Sequence, residues 1–204
     1  MTDSPKGKVF LIGAGPGHAE LITVRGVRCL KQCDVVLYDY LVNPAILRHV
    51  PVSAKLICLG RHGRRIWSQE KISKTIVEEA RNGRVVGRLK GGDPIVFGRA
   101  AEELDALIEN QIDFEIVPGI TAALAAGSYA GIPVTHRDHA SAVALVTGQE
   151  KTGKGESAID FKALARFPGT LVIYMGVTTA ERWSSELIRQ GMPADTPVAL
   201  IRRC

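Results

Sequence analysis

Arg88-Leu89-Lys90-Gly91-Gly92-Asp93-Pro94-Ile95-Val96-Phe97-Gly98-Arg99 is the stretch from which the fold can be read. It follows a β-like run, Arg84 to Leu89, and precedes a helix-like run, Ala100 to Gln111. It therefore reads as a loop at the carboxyl end of a strand, the edge at which open α/β sheets bind ligands. Gly91 and Gly92 allow close backbone approach. Pro94 biases Asp93 toward an extended conformation. Gly, Asp and Pro are also ordinary turn residues. A turn alone does not account for Arg88, Lys90, Asp93 and Arg99 crowded around two glycines.

Working outward, strand-like and helix-like runs alternate. Lys8 to Ile12 reads as a buried strand, and Thr23 is placed to cap a helix over Val24 to Cys33. Asp34 to Tyr38 reads as a second strand ending at Asp39, and Asn43-Pro44 opens a short helix. Lys55 to Leu59 is a third strand, and Ser68 caps a helix that runs to Asn82 and stops at Gly83. Phe114 to Val117 closes the first half. Such alternation predicts a parallel sheet covered on both faces. The second half is thinner in signal. Strands are expected at Ser141–Thr147, Thr170–Tyr174 and Pro197–Ile201, with Thr178-Thr179-Ala180-Glu181 as a capping box for a helix to Gln190. The reading is α/β with two α/β domains, 1–117 and 118–204. The second is expected to be incomplete, because the chain stops as a strand ends.

The first glycine loop, Gly13-Ala14-Gly15-Pro16-Gly17-His18, is not a dinucleotide fingerprint. His18 stands where that pattern needs glycine, and Pro16 removes an N–H that a phosphate cradle would use. Asp39 is then free for a task other than holding a ribose. Gly60-Arg61-His62-Gly63-Arg64-Arg65 is the densest cationic patch. Solvated basic loops are common, but at this sheet edge it suits a ligand with several carboxylates, which arginine grips bidentately.

The net charge of +5 suits an anionic partner, whereas 5% aromatic content disfavours a base-stacking platform. No apolar run is long enough to cross a bilayer, and the first residues do not form a signal peptide. Cys29, Cys33, Cys58 and Cys204 form no C-x-x-C, and His136 and His139 lack clustered partners, so no metal site is expected. Free thiols suggest a cytoplasmic setting.

Several strings together resemble the uroporphyrinogen-III C-methyltransferases, of the tetrapyrrole methylase fold. They are Gly13 to Gly17, Asp34 to Asp39, Arg88 to Arg99, Val117 to Ala122, Ala130 to Asp138 and Tyr174-Met175-Gly176. The resemblance implies two α/β domains with the active-site cleft between them, the first on the substrate side and the second on the donor side, and a homodimer. It implies S-adenosyl-L-methionine as methyl donor, S-adenosyl-L-homocysteine as its product, and no metal. The tetrapyrrole acceptor would be uroporphyrinogen III, converted through precorrin-1 to precorrin-2 for sirohaem or cobalamin biosynthesis. Nucleic-acid and membrane partners are not implied. Donor-binding positions carry over to Pro16, Gly91, Gly92, Asp93, Val96, Thr121, Ala122, Met175 and Cys204, and the catalytic base to Asp39. The family commonly has glycine at 204, so only a backbone contact transfers there. It often has lysine at 61 as a proposed proton donor. Arginine does not release its proton, so Arg61 would stabilise charge or, with Arg64 and Arg65, bind substrate carboxylates. Another methylase of this fold acting on a later precorrin, on protein or on RNA, and a non-enzymatic anion or nucleic-acid binder, are the alternatives.

Overall fold

A computed structural model describes residues 7–61, 64–150 and 157–202, with the side chains of 61–65 outside that description. The chain forms two compact units, Met1–Ala122 and Ala123–Cys204.

The first unit is built on a five-stranded sheet of order β3-β2-β6-β1-β7. Its strands are β1 (Lys8–Gly13), β2 (Val35–Tyr38), β3 (Lys55–Cys58), β6 (Val86–Lys90) and β7 (Asp113–Val117), all paired in parallel. Parallel pairing needs crossovers, and α1 (Val24–Leu30), α2 (Gln69–Arg81) and α3 (Ala100–Glu109) supply three of them. Alternate residues of each strand face opposite layers. Val9, Leu11, Val35, Leu37 and Val86 pack with Ile72, Ile76 and Leu107 of α2 and α3. Phe10, Ile12, Val36 and Leu89 pack on the other face with Cys29 and Leu30. β6 lies between β2 and β1, so its carboxyl end has the loops of both as neighbours.

Local chemistry sets the element ends. Thr23 accepts from the Gly26 N–H at 3.0 Å and Ser68 from the Lys71 N–H at 3.2 Å, satisfying first-turn donors. Asn43 caps a 3-10 turn over Pro44–His49. Gly83, at φ +78°, takes the left-handed conformation that ends α2. The predicted first helix stops at Leu30 rather than Cys33, because the chain tightens: the Gln32 and Cys33 N–H groups bond to Cys29 and Leu30, three residues back. Cys29 and Cys33 are buried free thiols, and burial pushes the Cys33 thiol up to about 12. The cationic patch expected as a loop instead contains short antiparallel strands, β4 (Gly60–Arg61) and β5 (Arg64–Arg65).

The second unit holds most of α4 (Ala122–Ala130), then β8 (Val143–Thr147), α5 (Phe161–Ala165), β9 (Thr170–Tyr174) and α6 (Ala180–Arg189). β8 and β9 pair in parallel. Two expectations fail here. Pro197–Ile201 is not a strand: its composition favours extension, but no described strand lies against it to complete a ladder. The capping box does not form either. α6 starts one residue later than the Thr178-to-Glu181 spacing needs: its N-cap is Thr179, which makes no side-chain cap bond and donates its hydroxyl to the Gly148 carbonyl at 2.9 Å, while the Thr178 hydroxyl accepts from Gln149 Nε2 at 3.1 Å.

Candidate functional site

The carboxyl ends of β1, β6 and β7 are locked together through backbone. The Ala14 N–H donates to Lys90 O at 2.8 Å. Gly15 and Gly92 exchange N–H···O bonds of 3.1 and 2.7 Å. A Cβ on Gly13 would stand 2.5 Å from the Gly119 Cα, and one on Gly119 would stand 2.2 Å from Gly92 O. No L side chain fits at either position, so packing inside the protein explains both glycines. Asp93 completes the lock. Its Oδ1 accepts from the Ile95 N–H and its Oδ2 from the Gly119 N–H, each at 3.0 Å.

Gly91 differs from these. Its φ lies outside the left-handed region, and the nearest atom to a built Cβ is the Leu41 Cβ at 3.5 Å, an ordinary contact. Nothing within the described residues requires glycine there. Gly92 needs glycine for its φ of +69°, yet its open side also meets only Ala122 N, Ile120 O and the Thr121 Cα, all at 3.9 Å. The two glycines thus present bare backbone next to the start of α4. That is a cradle into which a ligand can press closely.

The same edge carries exposed apolar side chains: Leu41 after β2, Ile95 and Phe97 after β6, and Ile120 after β7. Exposed apolar surface gathered at a site is a mark of ligand or partner binding. Phe97 and Arg99 hold φ of 51° and 56°, left-handed values that cost a non-glycine residue roughly 1–2 kcal/mol each. Strain of this kind clusters where function over-determines the backbone.

Asp39 leaves β2 beside this cradle. Its Oδ1 accepts from Arg88 Nη2 at 2.7 Å, and its side chain is 28% exposed. Arg88 is 2% exposed and also donates through Nε to Glu103 Oε1 at 3.0 Å and through Nη1 to Leu89 O at 3.1 Å. Lys90, equally buried, donates to Glu103 Oε2 at 2.9 Å, and Gln69 donates to Glu103 Oε1 at 3.1 Å. Burial alone would raise the Glu103 carboxyl, but Arg88 and Lys90 overcome it and hold it below the usual carboxylate range. Burial and then repulsion from Arg88 lower Lys90, against the pull of Glu103.

The sequence reading thus gains Pro16, Asp39, Gly91, Gly92, Asp93, Val96, Thr121 and Ala122 at one sheet edge or its adjoining loops. Of the four charges crowded around the glycines, Arg88 and Lys90 turn into the core, where Glu103 accounts for them. Glu103 went unnoticed. The signal was present, since an acid on the apolar stripe Ala100, Glu103, Leu107 of α3 must meet buried cations. The side chains of Arg61, Arg64 and Arg65 lie outside the described residues, as does Cys204. Met175 belongs to the second unit, half exposed at the end of β9 with φ 55°. There Trp183 Nε1 donates to Gly176 O at 2.9 Å, and Tyr174 OH accepts from the Ala123 N–H at 3.1 Å. His136 and His139 stack at 4.6 Å in an exposed loop of that unit. Among the described residues, no group of three or more His, Cys, Asp or Glu is placed to hold a metal ion.

The sequence profile of the Tetrapyrrole (Corrin/Porphyrin) Methylases matches residues 8–204. The chain belongs to the tetrapyrrole methylase family. It is 48% identical over 198 residues to the S-adenosyl-L-methionine-dependent uroporphyrinogen III methyltransferase of Methanosarcina barkeri, covering 97% of this chain and 78% of that protein. It is 51% identical over 202 residues to the siroheme synthase of Zymomonas mobilis, covering 98% of this chain. This tetrapyrrole methylase chain spans only 42% of the length of that siroheme synthase. Among solved structures, the uroporphyrin-III C-methyltransferase of Thermus thermophilus in complex with S-adenosylhomocysteine superposes with a TM-score of 0.75 at 39% identity, covering 91% of this chain and 73% of that one. A cobalt precorrin-4 methyltransferase superposes with a TM-score of 0.77 at 31% identity, covering 90% of this chain and 75% of that one.

Proposed function

We propose that this tetrapyrrole methylase transfers methyl groups from S-adenosyl-L-methionine to uroporphyrinogen III, giving precorrin-2 through precorrin-1 for sirohaem or cobalamin biosynthesis. One observation carries the reading: Gly91, a glycine that internal packing does not require, forms bare backbone at the sheet edge where Asp39 is held. The likeness to named uroporphyrinogen III methyltransferases supports the choice of acceptor.

The donor supplies a sulfonium methyl. Gly91, Gly92, Thr121 and Ala122 hold it by backbone, with Pro16, Val96, Met175 and Cys204 as further contacts. Asp93 acts mainly by tying the loop ends together. The acceptor carbon is an electron-rich pyrrole position, so the protein's task is alignment and exclusion of water. Methylation places positive charge on the ring system, and a proton must then leave. Asp39 takes that proton or offsets the charge through Oδ2, which has no partner among the described residues. Arg61, Arg64 and Arg65 bind the acidic side chains of the macrocycle, and Arg61 stabilises charge rather than giving up a proton. In this reading residues 1–117 carry the substrate side together with the Gly91-Gly92 part of the donor cradle, residues 118–204 complete the donor side, and the enzyme is a cytoplasmic homodimer. No metal, nucleic acid or membrane takes part in the reaction so drawn.

The test is methyl transfer to uroporphyrinogen III by the 204-residue chain, followed by product mass. Asp39→Ala should lower turnover far more than it lowers S-adenosylhomocysteine affinity. Unchanged turnover would remove Asp39 from the chemistry. The likeness to a cobalt precorrin-4 methyltransferase favours one second reading, a later precorrin as acceptor, which the same assay separates. Salt-sensitive nucleic-acid binding without donor binding would instead identify a non-enzymatic anion binder.

A further inference from the structure

We infer that Arg88 is the residue that orients the Asp39 carboxylate, and that Glu103, Lys90 and Gln69 serve to hold Arg88 in place. The inference rests on the reading of Asp39 as the reacting carboxylate.

Arg88 and Lys90 are two apart on β6, so both point to the α2–α3 face. There they meet Glu103 of α3 and Gln69 at the start of α2. Asp39 extends the same face of β2, since Leu37 pairs with Arg88 in register and packs into that layer. Three buried ionised groups in a sheet floor are weak evidence for stability, because a well-packed apolar set of similar volume commonly does as well or better. Specificity of geometry is what such a cluster provides. Here the geometry converges on one atom. Arg88 donates from Nε, Nη1 and Nη2 to three separate acceptors, which fixes the guanidinium plane. The plane in turn fixes Asp39 Oδ1 and leaves Oδ2 as the oxygen able to receive a proton. A lysine in the same place has a point charge but no planar fork, so it cannot serve Glu103 and Asp39 in these directions together. β6 also leads directly into Gly91 and Gly92, so one strand sets both the donor cradle and the carboxylate.

The experiment is a double-mutant cycle on the full chain, comparing wild type, Arg88→Lys, Asp39→Ala and the double variant. Steady-state methyl transfer to uroporphyrinogen III is measured alongside calorimetry with S-adenosylhomocysteine. Arg88→Lys should lower kcat about 10- to 100-fold, the scale of misplacing a reacting group by an ångström. KM for the tetrapyrrole and the affinity for S-adenosylhomocysteine should stay within about twofold of wild type. In the Asp39→Ala background the same change should cost nothing further, because the residue it positions is gone. Wild-type kcat in Arg88→Lys, or losses that multiply in the double variant, would overturn the inference. If Arg88→Lys does not fold, Glu103→Asp replaces it, drawing the anchor back by one methylene with its charge kept. The same loss and the same non-additivity are expected. Full turnover by Asp39→Ala, or no turnover by wild type, would overturn the functional reading itself and the inference with it.

Discussion

Gly91→Ala separates a glycine kept for a ligand from one kept for the fold. The added methyl would lie 3.5 Å from the Leu41 Cβ, and the backbone is not left-handed, so the protein itself has room. Replacing glycine where alanine fits stabilises by roughly 0.4–1 kcal/mol, chiefly by restricting the unfolded chain. For a chain of this size 1 kcal/mol moves the melting midpoint by about 2–4 °C, so the variant should melt about 1–4 °C higher. A donor pressed on the bare backbone would meet the same methyl as an overpacked contact, which costs about 1–3 kcal/mol. At about 1.4 kcal/mol per tenfold, its dissociation constant should rise roughly 5- to 150-fold. Gly13→Ala is the contrasting control. Its methyl would sit 2.5 Å from the Gly119 Cα, so it should lower the melting point sharply whether or not ligand is present. Thermal melts and calorimetry with S-adenosylhomocysteine read both quantities. A Gly91→Ala protein that melts higher and binds the ligand as tightly as wild type would show that no donor rests on that loop.

Three further outcomes are expected. Glu103→Gln leaves Arg88 and Lys90 as two buried cations without their shared counter-ion, a loss of roughly 3–5 kcal/mol that should lower the melting midpoint by about 6–20 °C. Glu103 is held below its ordinary 4.5 in the folded state, so its contribution to stability is complete above that value. It should be lost as pH falls through the lower folded value, making acid unfolding in that window shallower in Glu103→Gln than in wild type. Asp93→Ala strips the Ile95 and Gly119 N–H groups of their acceptor, at about 1–3 kcal/mol, and should weaken S-adenosylhomocysteine binding by loosening the loops rather than by losing a ligand contact. Restoration of affinity by Asp93→Asn, which keeps one acceptor oxygen, would support that distinction in the same calorimeter.

Much of the first unit was legible because each strand is a short apolar run with a turn signal behind it. The caps at Thr23, Ser68 and Asn43 were readable for the same local reason: a hydroxyl or amide oxygen next to orphan N–H groups. What could not be read depended on partners distant in sequence. Pro197–Ile201 has the composition of a strand, but composition does not supply a neighbour. Thr178 has the spacing of a capping residue, but α6 begins one residue later, and Gln149, 29 positions earlier, donates to its hydroxyl. The charge of Arg88 and Lys90 had no visible partner in the loop itself, because Glu103, their counter-ion, lies on the following helix. The acceptor and donor chemistry came from family resemblance, and the residues alone would have stopped at an anion-friendly cradle on an α/β sheet.

The contact of Gly13, Gly92 and Gly119 also bears on how this family can vary. Gly13 and Gly119 cannot change without the main chain opposite giving way, and Gly92 is held to glycine by its left-handed φ. Drift at the cradle is therefore confined to what hangs from it, such as Leu41, Ile95 or Phe97, while the spacing beneath stays fixed. A new ligand would be accommodated by trading those outer groups, with the main-chain spacing beneath them unaltered.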